Sequence, residues 1–208
     1  MIVPTLALLL MSEPETVSDY FPVKQGTTWV YQSNAEVNGR KSFSTDSDTV
    51  LEPIMLNGIT YTVIESRGVN SAAARSFYEV SADQIGFAGM TETALLPLPF
   101  PILQGDPSKA HEWEFTGGVI VGTGEAPAEI KAKMKPLGIR EVVGRKVPVI
   151  EVVMDLKIFY SDNQTISATH TSLYGKGIGL IEFKEVGSFG NQKNQKVRKL
   201  ARFREAAR

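Results

Sequence analysis

From Thr28 onward the chain is organised by period two: apolar or aromatic residues alternate with polar ones in short runs, interrupted by turn residues. Alternation at that period sends successive side chains to opposite faces of a strand. Its repetition roughly every eight to twelve residues predicts an all-β sandwich or barrel rather than a helical fold.

Thr28 to Val37 reads as a first strand and is followed by Asn38-Gly39, residues that accept the positive φ angles of a two-residue hairpin turn. Asn57-Gly58 repeats the device between the run ending at Met55 and a strand from Ile59 to Ser66. Arg75 to Val80 and Ile85 to Thr91 form a further pair around Ser81-Ala82-Asp83-Gln84, where the aspartate is expected to cap the turn. Ala128 to Lys135 contains strong helix formers, yet its strict order sets Ala128, Ile130, Ala132 and Met134 against Glu129, Lys131, Lys133 and Lys135. A strand is preferred to a helix there, because only a strand collects every charge on one face. Val149 to Ser161 is the longest strand candidate, turning at Asp162 to Thr165 and returning over Ile166 to Tyr174.

Leu95 to Gln104 breaks the pattern with Pro97, Pro99 and Pro101. Prolines cannot donate to a central ladder, so this stretch is expected to be an extended loop or a sheet edge. The predicted architecture is an antiparallel meander forming a strongly curved sheet, open barrel or sandwich, with at most one or two short helices. Over 208 residues it divides into a signal-like or disordered segment 1–18, a single β-rich domain 19–204 and a tail 205–208.

Composition removes whole classes of function. The absence of cysteine excludes disulfides, a thiol nucleophile, thiolate metal sites and a lipid-modified cysteine within this sequence. A formal net charge of −1 supplies no general field for nucleic acid or anionic membrane, leaving only local patches to consider. Ile2 to Met11 is an apolar run too short to cross a bilayer and within the length of a signal-peptide core. It favours a periplasmic or secreted protein, although no lysine or arginine precedes it and the first cation is Lys24. The other reading is an apolar N-terminal strand or stub of a cytoplasmic protein. No other segment reaches transmembrane length.

The stretch Asp19-Tyr20-Phe21-Pro22-Val23-Lys24-Gln25-Gly26-Thr27-Thr28-Trp29-Val30-Tyr31 resembles the Tyr-Phe-Pro opening, followed by Gly-x-x-Trp-x-Tyr, of a broad group of poorly characterised bacterial exported β-rich domains. Tyr174-Gly175-Lys176-Gly177-Ile178-Gly179-Leu180-Ile181-Glu182-Phe183 resembles the glycine-spaced strand that accompanies that opening. The resemblance implies an extracytoplasmic, curved antiparallel sheet or open barrel without an assigned activity. Read from the residues themselves, Trp29 and Tyr31 share one strand face as core anchors. The alternate glycines 175, 177 and 179 predict a bend or bulge, or the close passage of another segment.

No catalytic or metal-ligating set is complete in the sequence, and no cofactor is expected. His111-Glu112-Trp113-Glu114 splits between two strand faces, His170 sits within a predicted strand, and neither a Gly-x-Ser-x-Gly elbow nor a His-Glu-x-x-His motif occurs. Leu98, Phe100 and Ile102 of the proline-locked segment, with Trp113, are candidates for an apolar lip over a ligand pocket. Lys196, Arg198, Lys199 and Arg202, within a C-terminal run that also holds Lys193, Arg204 and Arg208, are candidates for anion binding. Against that stands a solvated final strand with Val197, Ala201 and Phe203 facing inward.

The leading expectation is a non-enzymatic exported domain that binds an apolar or amphipathic small molecule, or a protein partner, in a sheet concavity. An enzyme with an unrecognised carboxylate site, or a module that binds anionic lipid or nucleic acid through the basic segment, are the alternatives, nucleic acid being disfavoured by the overall charge.

Overall fold

The computed structural model describes residues 14–69, 71–121, 124–161, 164–189 and 192–207. The apolar run Ile2 to Met11, the first half of the Asp162 to Thr165 turn and Arg208 lie outside the described residues. A 3₁₀ turn, Val17–Tyr20, precedes the strands β1 (Thr28–Val37), β2 (Arg40–Val50), β3 (Ile54–Leu56), β4 (Ile59–Gly68), β5 (Ala74–Val80), β6 (Gln84–Thr91) and β7 (Ala94–Gln104). The second half of the chain supplies β8 (His111–Val121), β9 (Gly124–Val142), β10 (Arg145–Ser161), β11 (Gln164–Gly175), β12 (Gly179–Phe189) and β13 (Gln192–Arg204).

Every pairing is antiparallel, and the strands run in the order β7-β6-β5-β4-β2-β1-β13-β12-β11-β10-β9-β8, with β3 paired to β4 alone. Two meanders, one from each half of the chain, are therefore zipped together by the pairing of β1 with β13. The sheet coils until its two edges, β7 and β8, come together, giving an almost closed barrel. The seam between them is bridged by side chains: the Trp113 indole N–H donates to the Pro101 carbonyl at 3.3 Å, and the Phe100 and Phe115 rings lie 6.0 Å apart.

The hairpin signals act as expected. Asn38 and Gly39 adopt φ of 49° and 79°, and Asn57 and Gly58 adopt 53° and 82°. The same geometry occurs at Val143 and Gly144, with φ of 43° and 78°, which turn β9 into β10 without an asparagine to announce it. At the turn after β5 the cap is the Ser81 hydroxyl, which accepts from the Gln84 N–H at 3.0 Å and donates to Asp83 at 2.8 Å, rather than the aspartate itself.

Ala128 to Lys135 is strand, the middle of β9, with Ala128, Ile130, Ala132 and Met134 at most 2% exposed and the intervening charges outside. They join Ile150, Val152, Met154 and Leu156 of β10, together with Ile85, Leu103, Trp113 and Phe115, in the main core. Val17, in the leading segment of the sequence reading, is fully buried in that core, and its N–H donates to the Ala82 carbonyl at 3.0 Å.

Two readings need correction. Gly175 to Gly179 is not a continuous strand: β11 ends at Gly175 and β12 starts at Gly179, and the positive φ angles of Gly177 (69°) and Gly179 (89°) make the link a tight turn. The close passage expected there is present, since a Cβ on Gly179 would lie 3.1 Å from Pro22. In β13 the inward residues are Arg198, Leu200 and Phe203 rather than Val197, Ala201 and Phe203. The β1 register jumps from Val30 opposite Arg202 to Tyr31 opposite Leu200, so Ala201 is bulged out and the alternation changes phase.

Candidate functional site

The two segments that carry the sequence resemblance meet in space. Trp29 and Tyr31 of β1 are buried, and their polar atoms reach across to the glycine turn: the indole N–H donates to the Ile178 carbonyl at 2.5 Å and the phenol to the Leu180 carbonyl at 3.0 Å. Lys176 in that turn pairs with Glu15 at 3.0 Å and Asp19 at 3.5 Å. These contacts satisfy groups that burial would otherwise strand, and they fix the start of the first strand to the second meander.

Next to them the barrel interior turns polar. Arg198 forms a two-pronged pair with Asp48, both bonds 2.8 Å long, and its guanidinium lies 3.9 Å from the centre of the Tyr31 ring. Ser33 hydrogen-bonds Asp46, which opens on a surface cavity of about 760 Å³ that Ser33, Ser44, Phe43 and Val69 also line. Burial pushes the Tyr31 hydroxyl well above the usual tyrosine range and raises Tyr78 to about 12. Farther along the same inner face, His170 and Glu185 pair at 3.3 Å; that bond to His170 holds the Glu185 carboxyl below its ordinary range.

A concavity lies on the opposite, outer face, across β9 to β13 and β1. It is a groove of about 1080 Å³. Register explains its shape. Directly paired residues share a face, so one row crosses the sheet as Lys131, Asp155, Thr169, Val186, Gln195 and Glu36. The next row runs Glu129, Lys157, Ser167, Ser188, Lys193, closing on Asn38. The floor, from β11 and β12, is lined by Ser167, Ala168, Thr169, Val186, Gly187 and Ser188; the long side chains of β9, β10, β13 and β1 rise on either side. With strands about 4.8 Å apart, the floor and its flanks span about 14 Å from β10 to β13.

Polar members of the first row find partners within it and at its ends. Lys131 pairs with Glu114 at 3.0 Å, Thr169 donates to Asp155 at 2.7 Å, and Glu36 meets Lys41 at 3.9 Å.

The candidates from sequence are scattered by the fold. Trp113 is buried at the seam, Phe100 and Ile102 are partly buried against the main core, and Leu98 remains 56% exposed. Lys196 and Arg202 are exposed and Lys199 pairs with Glu182 at 3.3 Å, whereas Arg198 points inward to Asp48, so the four do not form one basic face. His111 and Trp113 stack on one side of β8, while Glu112 and Glu114 pair with Lys133 and Lys131 on the other. The groove was missed because its two rows come from six strands; the only local signal was the alternation of charge in β9.

No protein-family profile matches the chain, and no curated protein matches it in sequence. Among solved structures it is similar to a "putative lipoprotein" from Parabacteroides distasonis, with 13% identity and a TM-score of 0.49 over 93% of this chain and 100% of that one. It is also similar to a "putative exported protein with YmcC-like fold" from Bacteroides fragilis, with 10% identity and a TM-score of 0.45 over 89% and 98% of the two chains. Likenesses this distant transfer no residue, ligand or activity to this chain.

Proposed function

We propose that this chain is an exported, non-enzymatic binding domain, and that the outer-face groove across β9 to β13 and β1 holds its ligand. The observation that carries the reading is the groove itself: about 1080 Å³ of concave space with a floor of small residues, half of them hydroxyl-bearing, and charged walls. That volume lies just above the range of about 300–1,000 Å³ usual for small-molecule sites. Export rests on the apolar run Ile2 to Met11 and on the sequence resemblance of the Tyr20 to Tyr31 opening. An apolar lip at Leu98, Phe100, Ile102 and Trp113 is the weaker location, because three of the four already fill core space at the seam.

Native mass spectrometry of the protein from its own host tests both parts. The expected result is an N-terminus processed within the leading segment and a retained mass that denaturation releases. An intact Met1 on a bare chain would count against export and ligand binding together.

A further inference from the structure

Lys157 and Lys193 stand at the two flanks of a single cross-sheet row whose middle members are Ser167 and Ser188. Both lysines are exposed to the groove, and neither has a carboxylate within ion-pairing distance among the described residues. Of the groove's acids, Asp155 accepts from Thr169, Glu36 faces Lys41, and Glu129 stands opposite Lys157 in the register.

We propose that this row is a phosphate cradle, a site for a phosphomonoester group of a polar ligand seated in the groove. The proposal rests on the groove being the binding site and names the chemistry of what it takes. Ser167 and Ser188 are directly opposite one another, which sets their Cβ atoms about 5 Å apart, so both hydroxyls can donate to one oxyanion. Each lysine is rooted one strand farther out, on a four-carbon stem able to lean over the floor. Two ammonium charges match a phosphomonoester, which carries about −1.5 to −2 near neutral pH, better than they match a single carboxylate. Lysine acts there as a compact point charge; planar carboxylate recognition favours the arginine fork, and no arginine is among the described residues that line the groove.

The test is a titration of the ¹⁵N-labelled full chain with inorganic phosphate at about pH 8, where the dianion dominates, followed with methyl phosphate and with acetate. Saturable shifts are expected at the amides of Lys157, Ser167, Ser188 and Lys193 with both phosphates. Lys157→Gln or Lys193→Gln should each weaken binding about tenfold, the loss of one charge-assisted contact. The double variant should abolish it, and Lys146→Gln, at an exposed lysine outside the groove, should leave it unchanged. Shifts that never saturate, that survive in the double variant, or that acetate reproduces at equal concentration would overturn the cradle. If wild type and the double variant retain the same mass from the host, the cradle is wrong while the reading of a ligand-binding domain stands. If phosphate binds as described but nothing is ever retained from the host, the cradle stands and the wider ligand reading falls.

Discussion

The block β9 to β13 and the seam between β7 and β8 are closed by different forces. In the block, long strands are paired along almost their whole length, so backbone hydrogen bonds fix the register and free both faces for separate tasks: core within, groove without. At the seam β7 has given up three amide donors to proline, and Pro101 turns its carbonyl to an indole instead of to a strand. Among the described residues the barrel is held there by rings and one side-chain hydrogen bond. Directional backbone pairing can be extended over many residues and supports precise rows of side chains; side-chain closure holds only where the rings fit.

The laddered half is the more sensitive of the two to the loss of one buried partner. Arg198→Ala leaves Asp48 buried without its partner and should cost about 3–5 kcal/mol by urea denaturation, whereas the double change to Arg198→Met with Asp48→Leu should recover much of the loss. A cost below about 1 kcal/mol would mean that the pair is solvated and the polar interior loose.

Alkaline titration probes the same interior. Tyr31 and Tyr78 have hydroxyl pKa values raised above the free value, mainly by burial, so their contribution is complete below about pH 10 and is lost as the pH rises towards the folded value. Thermal stability should be insensitive to these groups below about pH 10 and fall between there and about 12.

The seam should respond locally. Trp113→Phe removes the bond to Pro101 and should cost about 1 kcal/mol or somewhat more, with faster amide exchange in β7 and β8 and little change in β10 to β12. Uniform acceleration across the sheet would show that seam and block open as one unit. A smaller effect is expected at the β9–β10 turn: Val143→Asn should gain up to about 1 kcal/mol, since asparagine tolerates the positive φ that valine resists. At the outer surface, Lys131→Gln should change stability by less than about 1 kcal/mol, as for other exposed ion pairs.

Legibility followed the range of the forces involved. Asn38-Gly39 and Asn57-Gly58 were readable because a turn with positive φ selects for asparagine and glycine within two positions. Val143-Gly144 adopts the same turn with a residue that hides it. β9 was readable as a strand because eight alternating positions declare a buried face, but its extension through Pro136 and Gly138 was not. Lys196, Arg198, Lys199 and Arg202 looked like one basic group until a single bulge at Ala201 turned Arg198 inward to Asp48.

The sequence by itself determined an all-β chain, its early hairpins, a proline-marked sheet edge and the burial of Trp29 and Tyr31, because each depends on neighbouring residues and on period two. Only the tertiary structure decided that β1 pairs with β13, that the Tyr20 to Tyr31 opening docks on the glycine turn 150 residues away, and that lysines and serines from four strands share one row. Those outcomes depend on cross-strand register between distant segments. Register is set by bulges and by the coiling of the whole sheet, which no local pattern of residues encodes.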